Sequence, residues 1–420
     1  MTISTRNHVR KICTRAKKAN VSLNEINSNT KNEILSEVAK KLKKNIKSII
    51  EQNQIDVQKA QEMGIEGSKL DRLILNEERI NGMIQSINAI IELDDPVGRI
   101  LYEKNPGNGL NIKRISCPIG LILAIYESRP NVTSDISALA IKSGNSVILR
   151  SGKESINSSN KIASIYQKAL KKFDIDENAI SCIDNADRSY VKWLLKMDDL
   201  IDVVIPRGGK KLIEMVSRET KIAIFKHLDG NCHTYIENEA DLTKARRIVL
   251  NAKLRRPSIC GATESLVIDE LIAPKILPNI VDDLSAQDCQ IVGDKKAVAI
   301  DNRIKLAKKE EFGEEFLDKK ISVKIVKNYD EAIEHINEYS SSHTEAIITE
   351  NSEIAENFFK KIDSAIVMHN SSTQFADGYE FGLGAEVGIS TGKLHARGPV
   401  GLEQLTTYKY LVEAKCGIRK

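Results

Sequence analysis

The chain has 420 residues, 41% apolar and 29% charged, and its 62 Lys and Arg against 58 Asp and Glu leave a formal net charge of only +4. That balance, with 5% aromatics, excludes the basic stripe with interleaved aromatics of a nucleic-acid binder, and the length gives two or three structural units with sizeable cores. No apolar run approaches the ~18 residues of a membrane helix and the N-terminal stretch has no signal-peptide apolar core, so a cytoplasmic location with no membrane partner is expected.

Residues 31–62 predict helices, because Leu35, Val38, Leu42, Ile46 and Ile49 recur at spacings of three and four. The lysines of "KKLKKNIK" (40–47) then fall on a wet helix face. A second helical pattern runs over 70–93 and ends before Asp94, Asp95 and Pro96. "RILYEKNPGNGLNIKRIS" (99–116) predicts a hairpin turning at "NPGNG". From 119 the rhythm changes. "IGLILAIY" suits a strand buried on both faces, and "TSDISALAIKSG" suits a helix capped by Thr133 or Ser134 and stopped at Gly144. "SVILR", "AISCID", "LIDVVIP" and "KIAIFK" follow as strands, separated by helices at 155–172, at 189–197 and from about 209. Five strands alternating with four helices make a parallel, doubly wound sheet.

A second such series starts near 240: a helix at 241–253, strands at "ESLVID", "ISVKIV", "EAIIT" and "SAIVMHN", and helices at 329–339 and 352–361. The β-rich "TTYKYLV" near the C-terminus is left to pair with the hairpin or with another subunit. There is no internal repeat.

Seven cysteines, odd in number and without a C-x-x-C pair, fit free thiols in a reducing compartment, and no metal site is expected. Cys260 stands out. It follows Arg255, Arg256 and Pro257, and small neighbours would let a substrate approach; cations beside a thiol favour the nucleophilic thiolate. A buried packing role remains the alternative. Gly208 and Gly209 lie at a strand-to-helix turn, where backbone N–H groups hold an anion or simply start a helix. Arg150 and Lys153 end a strand at the carboxyl edge of the sheet, as ligand groups or solvated cations. "HLDGNCH" (227–233) reads as a domain-linking turn rather than a metal site.

The blocks "YESRPNVTSDISALAIKSGNSVILRSGKES", "VVIPRGGKKLI", "AKLRRPSICGATESLVID" and "GLGAEVGISTGKLHARGPVGLEQLTTYKYLV" resemble the gamma-glutamyl phosphate reductases of the aldehyde dehydrogenase superfamily, in the same order and from about residue 20 to 415. The resemblance implies an α/β, aldehyde dehydrogenase-like fold: two doubly wound parallel-sheet domains plus a small β oligomerisation flap. Residues 1–98 and 118–235 would form the NADP-binding domain, 236–380 the catalytic domain carrying Cys260, and 99–117 with 400–420 the flap. It implies NADPH-dependent reduction of gamma-glutamyl phosphate to glutamate 5-semialdehyde and phosphate, in proline biosynthesis. The expected partners are that small-molecule substrate, a glutamate 5-kinase and further copies of the chain.

Residue by residue, Cys260 matches the superfamily's nucleophile. Asn131 matches the asparagine that joins the Cys260 N–H in holding the oxyanion. Gly208 and Gly209 match the turn near the cofactor pyrophosphate, with Arg150 and Lys153 as further cofactor contacts. Lys153 stands where NAD-using relatives place Glu, which suits a 2′-phosphate. Arg129, Arg255 or Arg256 would bind the substrate's carboxylate or phosphate. His227 replaces the glutamate that activates water in hydrolytic relatives. Gly261 and Ser151 depart from the closer family's Asn and Gly.

Overall fold

The computed structural model describes residues 3–226 and 229–418. It divides into two units: one of the residues up to Lys226 with Gly382–Gly388 and the segment from Val400, the other of His227–Phe381 with Ile389–Pro399.

In the first unit a five-stranded sheet runs in the spatial order Ile180–Cys182, Ser146–Ser151, Leu121–Tyr126, Val203–Arg207, Ala223–Ile224, with every neighbour parallel. The first strand in sequence is central, and all six of its residues are buried. The chain works outward on one side of it and then returns to the other, so the strand order reverses between Leu121–Tyr126 and Val203–Arg207. Ligands of open α/β sheets bind at the carboxyl ends beside such a reversal.

The helix after the central strand is Asn131–Lys142 and starts behind Pro130, not at the expected Thr133 or Ser134 cap. Those two hydroxyls are fully buried and are taken by Tyr126 Oη (2.7 Å) and Tyr166 Oη (2.8 Å), because a buried phenol needs a partner. The predicted 31–62 helical stretch is two helices, Ser28–Lys44 and Ile46–Glu62, hinged at Asn45. The buried Asp56 carboxylate accepts from the backbone N–H and side chains of Asn157 and Ser158, which caps the helix Ile156–Lys172. An N-terminal helix, Ile3–Asn24, was not anticipated; Val9, Cys13, Ala16, Ala19 and Leu23 form its buried stripe, but small side chains blunt the signal.

The hairpin forms as expected from Ile100–Lys104 and Leu110–Pro118, and Thr406–Ala414 pairs antiparallel along the second of these strands, from Thr406 opposite Pro118 to Ala414 opposite Leu110. Ile100, Leu101, Tyr102, Tyr408, Tyr410 and Val412 are exposed on this three-stranded sheet.

The second unit holds a seven-stranded parallel sheet in the order Lys305–Leu306, Gln290–Gly293, Lys320–Val326, Thr263–Asp269, Cys232–Ile236, Thr344–Ile348, Ile366–His369. Cys232–Ile236 is a fully buried strand of this sheet that was not expected; residues 229–231 before it lie without regular structure in the expected linking turn, and the units divide after Lys226 and not at 235/236. The strand's polar residues disguise it. Two of them are tolerated inside because they are paired, His233 Nδ1 with Glu345 (3.0 Å) and Thr234 with Thr263 (2.7 Å). The helix Ala273–Ser285 was also missed; it carries Pro274 in its first turn and Pro278 inside. Among the described residues no helix is long and apolar enough to cross a membrane.

Candidate active site

Cys260 lies in the turn between the helix Leu242–Leu254 and the strand Thr263–Asp269. Two short backbone bonds shape that turn, Ile259 N to Arg256 O (3.4 Å) and Ala262 N to Ile259 O (3.0 Å). Gln374, buried nearby, donates its amide to Ala252 O (2.9 Å) and Arg256 O (3.3 Å), fastening the approach to the turn. From the other side Gly230 presses directly on the cysteine. A Cβ at Gly230 would fall 2.4 Å from the Cys260 carbonyl oxygen and 2.7 Å from its Cβ, so only glycine fits. The same segment brings the Cys232 thiol to 3.0 Å from the Cys260 carbonyl oxygen.

Burial acts on several of the other thiols. It pushes Cys13 and Cys182 up to about 12 and Cys289 up to about 11, and it also pushes Cys232 well up, with Glu345 adding to the effect. Such thiols stay protonated and are poor nucleophiles. Cys260 is half-buried, and Arg255 and Arg256 on its turn are exposed. Arg255 reaches Gln374 Oε1 at 3.5 Å.

In the first unit, the remaining sequence candidates gather on three loops at the carboxyl ends of adjacent strands. Arg129 and Asn131 follow Leu121–Tyr126, Arg150 and Lys153 follow or end Ser146–Ser151, and Gly208 and Gly209 follow Val203–Arg207. Asn131 Nδ2 donates to Asp135 Oδ2 (3.1 Å), leaving its second amide hydrogen. Burial pushes the Asp135 carboxyl up to about 6, while the Asn131 amide and the Arg207 charge pull it back. Lys153 is exposed. Arg150 does not project outward as expected. It is buried, and its guanidinium donates to the Ser151 carbonyl and, at 2.9 Å, to that of Ala186. His227 lies outside the described residues.

Two carboxylates that the sequence reading passed over organise these loops. Glu154 Oε1 accepts from Ser128 N (2.7 Å) and Ser128 Oγ (3.1 Å) and so holds Ser128 at φ 47°, a left-handed conformation costly for a non-glycine residue. Glu127 Oε2 accepts from Gly209 N (3.2 Å), and a Cβ at Gly208 would come within 2.6 Å of the same oxygen. The glycine turn therefore does receive an anion, here the protein's own carboxylate at the point where the strand order reverses. That N–H, with the exposed Lys153 cation, fits a phosphorylated dinucleotide. The signal in the sequence was a Glu directly after a fully apolar strand. Among the described residues no group of three or more His, Cys, Asp or Glu side chains could hold a metal ion.

The aldehyde dehydrogenase family model matches residues 1–307. The chain is 49% identical to gamma-glutamyl phosphate reductase of Erythrobacter litoralis and 46% identical to that of Brucella suis, each over 96% of both chains. The chain belongs to the gamma-glutamyl phosphate reductases of the aldehyde dehydrogenase family. The crystal structure of the Thermotoga maritima gamma-glutamyl phosphate reductase superposes with a TM-score of 0.95 at 42% identity, covering 98% of this chain and 100% of that one. An acetylating aldehyde dehydrogenase of Geobacillus thermoglucosidasius shares the fold, with a TM-score of 0.71 at 19% identity over 100% of this chain and 99% of that one. Membership in this family makes the chain an oxidoreductase of NAD(P)-dependent type, and it makes the expected two-sheet, aldehyde dehydrogenase-like fold the correct one.

Proposed function

We propose that the chain reduces gamma-glutamyl phosphate to glutamate 5-semialdehyde with NADPH, releasing phosphate. The observation that carries this reading is Cys260: a half-buried thiol on a rigid turn, in a chain nearly half identical to reductases named for that substrate.

The Cys260 thiolate attacks the acyl carbon, and the C–O bond to phosphate breaks as the C–S bond forms. Phosphate is a good leaving group and needs no proton from the protein. A nicotinamide bound at the strand ends of the first unit would supply the hydride that the resulting thioester needs for reduction to the aldehyde level. Charge then sits on the former carbonyl oxygen, and Asn131 is the proposed side-chain donor to it. Such a donor acts mainly in the transition state and is worth about 3 kcal/mol. When the C–S bond breaks, the aldehyde leaves and the thiolate is regenerated. With His in place of a water-activating Glu at position 227, no carboxylate base stands there to hydrolyse the thioester.

Gly208 and Gly209 are the proposed seat of a dinucleotide phosphate, and Lys153 the partner of a 2′-phosphate. Arg129, Arg255 and Arg256 are proposed for the substrate's carboxylate and phosphate, since guanidinium matches those oxyanions in a fork. Arg150 serves this region by fixing the carbonyls of Ser151 and Ala186. A glutamate 5-kinase supplies the acyl phosphate, and the exposed apolar sheet around Tyr408 and Tyr410 joins copies of the chain into a homo-oligomer.

The reverse reaction tests the substrate class. Glutamate 5-semialdehyde should reduce NADP⁺ only when inorganic phosphate is present. Equal or faster reduction with coenzyme A replacing phosphate would overturn the reading in favour of an acylating enzyme that uses coenzyme A.

A further inference from the structure

The strand Cys232–Ile236 enters the seven-stranded sheet irregularly. Cys232 lies opposite Thr263 but His233 lies opposite Ser265, a register shift within one residue. The shift sets Gly230 and Cys232 side by side against the nucleophile's turn. Gly230 closes on the Cys260 backbone, and the Cys232 Sγ stands 3.0 Å from the Cys260 carbonyl oxygen. A carbonyl can only accept, so the single thiol proton of Cys232 lies on that oxygen. The sulfur also touches His343 Nδ1 (3.5 Å), which contacts Thr344 Oγ1 (2.8 Å), and both Cys232 and His343 are fully buried.

A turn carbonyl packed against a neighbouring segment is held by the donor it meets there. Neither backbone bond of the Cys260 turn ends on the Cys260 oxygen; they end on Arg256 and Ile259. The thiol therefore fixes the rotation of the peptide that follows Cys260. In a tight turn that rotation decides where the Cys260 side chain and N–H point. The hydroxyl of serine could make the same bond, whereas alanine could not.

We infer that Cys232 is a positioning residue for the nucleophile: its buried S–H pins the Cys260 carbonyl and so holds the reactive sulfur on aim. The inference rests on the reading of Cys260 as nucleophile and deepens it. Cys232 itself stays out of the chemistry, being buried and protonated.

The test compares Cys232→Ala and Cys232→Ser with the parent enzyme in the full-length chain. Three readouts are taken: kcat and KM for semialdehyde-dependent NADP⁺ reduction, the second-order rate of Cys260 alkylation by iodoacetamide followed by peptide mapping, and the melting temperature. Loss of one buried hydrogen bond should lower kcat of the alanine variant about tenfold with KM nearly unchanged, and the Cys260 alkylation rate should fall alongside. The serine variant should recover most of both. Equal losses in the two variants would mean that sulfur volume matters and the hydrogen bond does not, and would overturn the inference. Unchanged kcat and alkylation in the alanine variant would overturn it too. If the alanine variant does not fold, the serine variant decides alone: activity within about fivefold of the parent supports the bond, and any greater loss contradicts it. A Cys260→Ala control that stays active would instead sink the nucleophile reading, which separates the two failures.

Discussion

Lys253 and Glu264 form an ion pair in which neither side chain has any solvent exposure, and the two residues stand on either side of the loop that carries Cys260. Lys253 closes the helix before the loop and Glu264 lies in the strand after it. Glu264 also accepts from Leu317 N at 3.1 Å, so its second oxygen is not left bare. The pair is a clamp at the neck of the nucleophile's loop.

Breaking a buried pair strands a charge, which costs about 3–5 kcal/mol, while exchanging both partners for apolar residues of similar size is often neutral. Lys253→Met alone should therefore cut unfolding stability by about that amount, and Lys253→Met with Glu264→Leu should restore most of it. Urea denaturation of the single and double variants checks this. A double variant as unstable as the single would show that the pair contributes more than charge balance.

The carboxylate of Glu127 on the Gly209 N–H competes with any phosphate for the same donor. Glu127→Gln should tighten NADP⁺ binding about fivefold, since a charge at a helix N-terminus is worth about 1 kcal/mol. Equilibrium titration of intrinsic fluorescence reads this without turnover. Lys153→Glu should act in the opposite sense and selectively, lowering kcat/KM for NADPH far more than for NADH. An unchanged ratio would remove Lys153 from cofactor selection.

His335 gives the acid limb of stability a defined origin. Burial, reinforced by His233 and Lys324, holds its pKa down to about 3 from an ordinary 6.5, among the rings of Phe312 (5.4 Å) and Tyr339 (4.8 Å). Between those pH values the unfolded chain takes up a proton that the native one refuses. Stability from this group is complete above 6.5 and falls as pH drops toward 3, by up to about 1.4 kcal/mol per pH unit. His335→Phe keeps the ring packing and should flatten that limb in thermal melts between pH 4 and 7, as the ordinary histidine range requires. An unchanged pH slope would place the titration elsewhere.

The sheet of Ile100–Lys104, Leu110–Pro118 and Thr406–Ala414 exposes Tyr102, Tyr408, Tyr410 and Val412 together. An apolar surface of this kind marks an association face. Tyr410→Asp with Val412→Asp should shift the sedimentation coefficient from that of a homo-oligomer to that of the monomer. A parent chain that sediments as a monomer would contradict this directly.

Much of this molecule could be read from its residues. "LILAIY" announced a strand buried on both faces, and all five strands of the first sheet stand where the apolar runs fell. The Thr406–Ala414 pairing followed from its β-formers, though only the fold chose the hairpin as its partner. Cys232–Ile236 stayed hidden because its polar residues look solvent-facing until Glu345 and Thr263, remote in sequence, arrive to pair with them. Arg150 misled for the converse reason: charge suggests exposure, but the Ala186 carbonyl 36 residues away gives the guanidinium a buried use. Glu127 and Gly230 act through contacts made across loops, and no local periodicity carries such information.

The central claim is that Cys260 bears the acyl group. The most direct measurement is semialdehyde-dependent NADP⁺ reduction in phosphate buffer by Cys260→Ala, with its fold checked by circular dichroism. Removing a covalent nucleophile should lower kcat by about a thousandfold or more. Activity within a few-fold of the parent chain would contradict the account.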